Sequence, residues 1–364
     1  MTTQHTNDPN TIKEDLDESV KEGKFLNDPE EELHLEFKDY EIISPLRISR
    51  WENFTHVFDP ETKREAVIVS LNREEHLHHF CQLIEDSGEW DSDKEIPILA
   101  AKKFREADEQ FKKRYENVKK LLPTPFLPHV FAIYQDKHNH DQYFVQLQYA
   151  DGENFLDCVK RRRLSPLQIL GLIKQNFEGL EFMHDNGLLH LRIKSESVWV
   201  GFQGRKPTVR FVSWGQAIPI EEAQGNKSGT KHFAAPEVLL EGKPSPQSDY
   251  WSLGSLLYQA LTGEPPHPER EAAQTHRGLI NIAKEERPPL ELTAFQQYQN
   301  LPEHIAEELK IEKMQFLLTE LLKKNPAERA FKTARSVISF IEENWPKLVI
   351  GAPESKETIS ISLR

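Results

Sequence analysis

Residues 167–201 read LQILGLIKQNFEGLEFMHDNGLLHLRIKSESVWVG, and this stretch decides the reading of the chain. Its first half sets Leu167, Leu170, Ile173, Phe177, Leu180 and Phe182 mostly at helical spacing, the signature of a helix with an apolar face. Asp249–Gly263 and Met314–Lys324 repeat that texture, so the chain from about 153 to 346 reads as helical. Upstream the texture changes. Between about 40 and 150 the apolar runs are short and β-like, at Ala66–Leu71, Phe131–Tyr134 and Tyr143–Tyr149, with one charged helical stretch at about 95–121. A small sheet-rich part followed by a larger helical part predicts an α+β fold in two lobes.

Composition narrows the classes. The 364 residues carry 37% apolar and 29% charged side chains and a net charge of −13. That length buries a proper core. No run approaches ~18 apolar residues, which excludes a membrane-spanning helix as an expectation. The start, MTTQHTNDPN, lacks the basic flank and apolar stretch of a secretory signal. Two cysteines, Cys81 and Cys158, make no disulfide framework, so a reducing cytoplasm is the expected compartment. The acidic balance argues against nucleic acid as a partner, because phosphate contacts need basic patches. Residues 1–40 hold twelve acids and four bases. Residues 1–35 are expected to be an acidic, solvated tail, 36–346 one domain with lobes at about 36–150 and 151–346, and 347–364 a second tail. The Ile359–Leu363 alternation there is compatible with an edge strand.

The polar residues after the long helix carry a resemblance. His190, Ile193 and Lys194 fall on the pattern H-R-D-L-x-x-x-N of eukaryotic-like Ser/Thr protein kinases, with Leu191, Arg192 and Ser197 in place of Arg, Asp and Asn. Ser213-Trp214-Gly215 stands at the D-F-G position. Gly229–Glu237 resembles the end of an activation segment with its A-P-E intact, Ser248–Gly254 the start of the long buried helix, and Asn325–Arg329 the closing Arg motif. Ala66-Val67-Ile68-Val69 is similar to V-A-I-K, with Val69 at the phosphate-binding Lys. Val145–Gly152 resembles the strand and hinge, with Leu147 as gatekeeper, and Glu116 is the candidate acid of the αC helix. Tyr40–Glu65 contains no glycine, so the Gly-rich loop is absent.

The resemblance implies a fold kept and a chemistry removed. Phosphoryl transfer needs positioning and charge neutralisation. Val69 supplies no cation, Ser213 and Ser197 are poor ligands for Mg²⁺, and Arg192 has no acceptor for a hydroxyl proton. Losing a general base alone costs ~10²–10⁴-fold. By contrast Glu237 and Arg329 resemble the family's buried ion pair, Asp249 the brace of the catalytic loop, and Trp214 the aromatic against His190. The implied protein is a pseudokinase, a scaffold or allosteric regulator of a partner protein, with an active kinase as one candidate. No nucleic acid, membrane or metal is expected as a partner. No cofactor is expected either, ATP and Mg²⁺ included: Val67, Val69, Leu147 and Trp199 would line a degenerate nucleotide cleft, with the Trp199 indole filling the adenine slot or serving as ordinary core. The competing readings are a kinase-fold enzyme with other nucleotide chemistry, built on Arg192, Lys194 and Glu196, or a residual Ser/Thr kinase.

Weaker signals have bland readings. His76, His78, His79 and Cys81 could offer Zn²⁺ a ligand pair, but no second pair follows and a solvated helix face is expected. His138 and His140 read as a hairpin tip. Lys160–Arg163 reads as a solvated turn, or as a site for an acidic partner, the N-terminal tail included. Ser228 and Thr230 are candidate phosphorylation sites.

Overall fold

The computed structural model describes residues 40–46, 51–60, 63–87, 95–121, 124–135, 142–203, 206–213, 217–227, 229–273, 275–285, 288–299, 301–346 and 348. Residues 1–35, Trp214, Ser228, His138, His140 and, apart from Leu348, residues 347–364 therefore lie outside the described residues. The chain divides into two compact units. Unit 1 runs to Asn117 and resumes over Val130–Tyr149; unit 2 takes Val118–His129 and the chain from Ala150 onward.

Unit 1 is built on a five-stranded antiparallel sheet of order β1-β2-β3-β5-β4. The strands are β1 (Glu41–Leu46), β2 (Glu52–Asp59), β3 (Arg64–Leu71), β4 (Val130–Gln135) and β5 (Tyr143–Gln148). β3 is the central strand, and its AVIVSL run is buried without interruption, as a strand covered on both faces requires. Helices α1 (Arg73–Ser87) and α2 (Ile96–Lys119) complete the unit. On α2 the buried positions are Ile96, Ala100, Phe104, Asp108, Phe111, Tyr115 and Val118, one helical stripe. Asp108 is the anomaly in that stripe. It is wholly buried, and its Oδ2 accepts the Tyr143 N–H of β5 at 2.8 Å. Glu109 accepts from the Tyr143 hydroxyl at 2.8 Å, and Lys112 sits over the same ring. These contacts fasten helix to sheet at one tyrosine.

The histidine cluster on α1 is not simply a solvated face. His76 and His79 flank the Trp51 indole at 5.2 and 5.3 Å between centroids, and His76 Nε2 lies 3.2 Å from the Trp51 carbonyl. Only His78 is exposed.

Unit 2 is helical around α4 (Pro166–Asp185) and α6 (Pro246–Thr262). Its other elements are β6 (Glu153–Asn154), α3 (Phe155–Arg162), β7 (Leu188–Leu189), β8 (Val198–Gln203), β9 (Lys206–Phe211), β10 (Ile218–Pro219), α5 (Pro236–Glu241), α7 (His276–Glu285), α8 (Glu303–Leu309), α9 (Ile311–Leu321) and α10 (Ala334–Asn344). A capping box opens α4: Ser165 Oγ accepts from Gln168 N, Gln168 Oε1 accepts from Ser165 N, and Pro166 follows at the first helical position. The helix is apolar on several faces and is buried along most of its length.

One boundary differs from the sequence expectation. Residues 118–129 belong with the helical unit and not with the sheet. The reason is local: Phe211 N donates to Phe126 O at 2.8 Å, Arg210 Nε donates to Pro125 O, and Gly179 of α4 abuts Phe126 so closely that a Cβ would stand 3.2 Å from it.

Asp108→Ala leaves the buried Tyr143 N–H without its acceptor. We expect a loss of about 1–3 kcal/mol in urea unfolding, the usual cost of an orphaned buried donor, with Glu109→Ala on the exposed side costing less.

Candidate active-site region

α4 ends at Asp185, the chain turns through Gly187 at φ +75°, and β7 pairs with β10. The loop that follows, residues 190–197, carries most of the singled-out positions. Its backbone is held from α6. Asp249, wholly buried in the first turn of that helix, accepts from His190 N at 2.9 Å and Leu191 N at 2.8 Å. Its Oδ2 also lies 3.0 Å from His184 Nε2. Leu191 consequently sits in the left-handed region at φ +55°, a conformation that costs a non-glycine residue ~1–3 kcal/mol and persists only when its surroundings impose it.

His190 is fully buried and its Nδ1 accepts from Arg192 N at 3.2 Å. Burial, with the nearby Arg192 charge, brings its pKa down to about 4 despite the opposing pull of Asp249. It is therefore neutral, with its proton on Nε2. The aromatic found against His190 among the described residues is Phe211, at 5.2 Å between centroids; Trp214, expected in that role, lies outside them.

Arg192, read from the sequence at the position of the family's base, is only 8% exposed. Lys194 reaches to within 3.8 Å of Glu196. Ser197 does the work of a brace. Its hydroxyl is directed at the Arg192 and Lys194 carbonyls, at 2.8 and 3.0 Å, and accepts from Lys194 N at 2.9 Å. These three contacts use the hydroxyl's single proton and an acceptor site inside the loop itself. Ser195 Oγ donates to Asn154 Oδ1 and accepts from Leu156 N, which ties the loop to the start of α3. Ser213 is buried at φ +91°, next to Val212, whose N–H donates to Ser197 O at 2.8 Å. The loop thus brings Arg192, Lys194, Ser197 and the 212–213 backbone into one connected frame.

The expected ion pair is present. Arg329 donates to both Glu237 oxygens at 2.9 and 2.8 Å, with both side chains almost wholly buried. Ser248 Oγ donates to Glu237 Oε1, Arg329 also reaches the Gln247 and Lys323 carbonyls, and its guanidinium lies over Trp251 at 5.1 Å. A second buried arginine was not foreseen. Arg270 donates to the Ala234 and Lys231 carbonyls at 2.8 and 3.0 Å, fixing the activation-like segment that holds half-buried Thr230. Beside it His232 Nε2 meets Glu271 Oε2 at 2.6 Å, which with Lys231 holds the Glu271 carboxyl below its usual range. No spacing in the EREA stretch marks Arg270 as different from its exposed neighbours.

In unit 1, Val67 and Val69 lie in β3 between β2 and β5, cross-strand from Leu147 and Val145, and all are core. His56, opposite Val67, stacks on Tyr149 at 3.8 Å and 4° and lies 3.1 Å from Glu65. Glu116 is only half-buried, and the residue that enters the core beside it is Tyr115. In unit 2, Trp199 is half-buried on β8, and its Nε1 has no hydrogen-bond partner among the described residues. Its Cδ1 lies against Gly152, whose φ of +150° and missing Cβ permit that approach. Among the described residues no group of three or more His, Cys, Asp or Glu is placed to hold a metal ion, and no helix is long and apolar enough to cross a membrane.

A loop braced by a buried aspartate, a closing Glu–Arg pair and a five-stranded sheet define a kinase-type α+β fold. Residues 92–339 match the protein kinase domain model, and the chain belongs to that family. Its relatives are serine/threonine-protein kinases. It is 25% identical over 290 residues to PAK mbt of Drosophila melanogaster, covering 78% of this chain and 42% of that one. It is 29% identical over 203 residues to STE20 of Candida glabrata, covering 55% and 20%. It is 29% identical over 151 residues to mouse PAK 1, covering 42% and 27%. The chain spans less than half the length of these relatives.

This membership corrects the expectation that no cofactor serves the chain. Kinase homologues use ATP and Mg²⁺, and that chemistry is chiefly positioning on a frame. Val69, Arg192, Ser197 and Ser213 are differences of side chain on a frame whose backbone is held, so they do not exclude those cofactors.

Two outcomes test the geometry. Arg329→Met, which strands the Glu237 carboxylate, is expected to cost about 3–5 kcal/mol in urea unfolding. For His190, the folded pKa of about 4 lies below the ordinary 6.5, so its contribution is present above pH 6.5 and is lost as pH falls from 6.5 to 4. That lost contribution approaches ~3 kcal/mol. Unfolding curves across this window should flatten in His190→Gln.

Proposed function

We propose that this kinase-family chain acts by binding and regulating a partner protein and does not itself transfer phosphate at a useful rate. The observation that carries this reading is Arg192: a buried guanidinium stands where a carboxylate must accept the substrate's hydroxyl proton, and it has no acceptor to offer. The surrounding loop is fully braced by Asp249 and Ser197, so the position is ordered with the wrong chemistry. Nucleotide binding is compatible with this reading; the base is what is missing. The activation-like segment, 213–237, and the α2 region at about 100–121 are the faces we assign to a partner, an active kinase among the candidates.

A second reading, a slow Ser/Thr kinase, is favoured by Lys194, which the loop holds through its bond to Ser197. Labelled ATP with Mg²⁺ and a generic protein substrate separates the two. We expect transfer no faster than without protein. Turnover beyond one phosphate per molecule, abolished by Lys194→Ala, would overturn the proposal in favour of the kinase.

A further inference from the structure

Unit 2 holds a cavity of about 690 Å³ beside the end of the activation-like segment. Helices α5, α6 and α9 wall it, together with residues 288–290 and 322–326. Its volume falls in the range of small-molecule sites, ~300–1,000 Å³. Trp251, Tyr258, Leu318 and Leu322 form the buried apolar wall, with Leu240 half-buried and Leu290 62% exposed. Leu290 follows two prolines, which restrict the backbone that presents it.

The lining charges are engaged within the protein. Glu237 pairs with Arg329, Glu241 with Lys243 at 2.7 Å, and Lys323 with Glu320 at 2.6 Å. His267 Nδ1 lies 3.5 Å from Glu269. Lys324 donates to the Lys284 carbonyl at 2.6 Å and Glu328 accepts from Asn325 at 2.9 Å. Those last two are exposed and of opposite sign. An ionised ligand therefore meets no excess of counter-charge here, and a buried charge without one is costly. A lining donor, by contrast, is unmet. Trp251 is 1% exposed, and its Nε1 has no hydrogen-bond partner among the described residues. His267 stacks parallel to that indole at 5.7 Å and the Arg329 guanidinium lies over it at 5.1 Å. The ring is held by its neighbours while its N–H is left to be satisfied.

We propose that this cavity binds an uncharged, mainly apolar small molecule carrying a neutral oxygen acceptor, such as a ketone, ester or amide carbonyl. The apolar part packs on the leucines and the carbonyl takes the Trp251 N–H. Trp251 and Glu237 both touch Arg329, so the occupant sits one contact from the pair that closes the lower part of the unit. The inference uses unit 2 alone and stands whether or not the partner reading holds.

Prodan, a neutral naphthalene ketone whose emission moves to the blue in apolar surroundings, is the probe, titrated into the full chain. We expect saturable binding of one dye per molecule with blue-shifted emission, and a shift of the Trp251 indole N–H resonance that saturates with it. Leu290→Asp and Thr319→Trp, at exposed lining positions, should each weaken binding about tenfold, ~1.4 kcal/mol. Phe316→Ser, on the part of α9 that meets Phe331 and Phe340, should leave it unchanged. Anilinonaphthalene sulfonate, of similar size but anionic, should bind at least about tenfold more weakly than prodan. Absence of saturation, an anionic dye bound as tightly, an unmoved Trp251 resonance, or lining variants that bind like the parent protein would each overturn the proposal. So would a Phe316→Ser loss as large as theirs.

Discussion

Asp249 is the constraint on which unit 2 depends. Two backbone N–H groups of the 190–191 loop and the His184 ring converge on one buried carboxylate at the head of α6. A buried carboxylate without such partners would be costly, and a leucine in the left-handed region would relax. Each makes the other tolerable. The loop is therefore held through its main chain, and the side chains it displays are free to differ without the loop changing shape.

That separation lets the family frame persist whatever side chains the loop displays. Ser197 fastens the loop to itself, Ser195 fastens it to α3, and the Glu237–Arg329 pair closes the lower part of the unit. None of these contacts touches a reacting group. Arg192 sits buried in that loop, at a position whose backbone is set by its neighbours.

Much of this frame was legible in the sequence, for a physical reason. Asp249, Glu237 and Arg329 stand in short motifs because their partners are backbone groups or one another, at fixed places in the chain. The long buried helices were legible from periodicity, and β3 from its unbroken apolar run. Asp108, Arg270 and the His56–Tyr149 stack were not. Each is a polar or aromatic group whose role is set by something distant in sequence: the Tyr143 N–H, the Ala234 carbonyl, a ring on another strand. Charge and period alone describe Asp108 and Arg270 as surface residues. The histidines of α1 misled in the other direction, since only the fold brings Trp51 between them.

The assignment of residues 118–129 to the helical unit has a consequence for how the chain is made. The polypeptide passes between units at 117/118, 129/130 and 149/150, so neither unit is one continuous piece of chain. During synthesis, which proceeds from the N-terminus, β4 and β5 emerge after the 118–129 segment. That segment must then wait for Phe211, about 85 residues later, before its Phe126 carbonyl finds the N–H it accepts from. Fragments cut at Tyr149 would carry this segment on the wrong side, separated from β9 and α4. The two units are distinct in packing, and the ribosome delivers them interleaved.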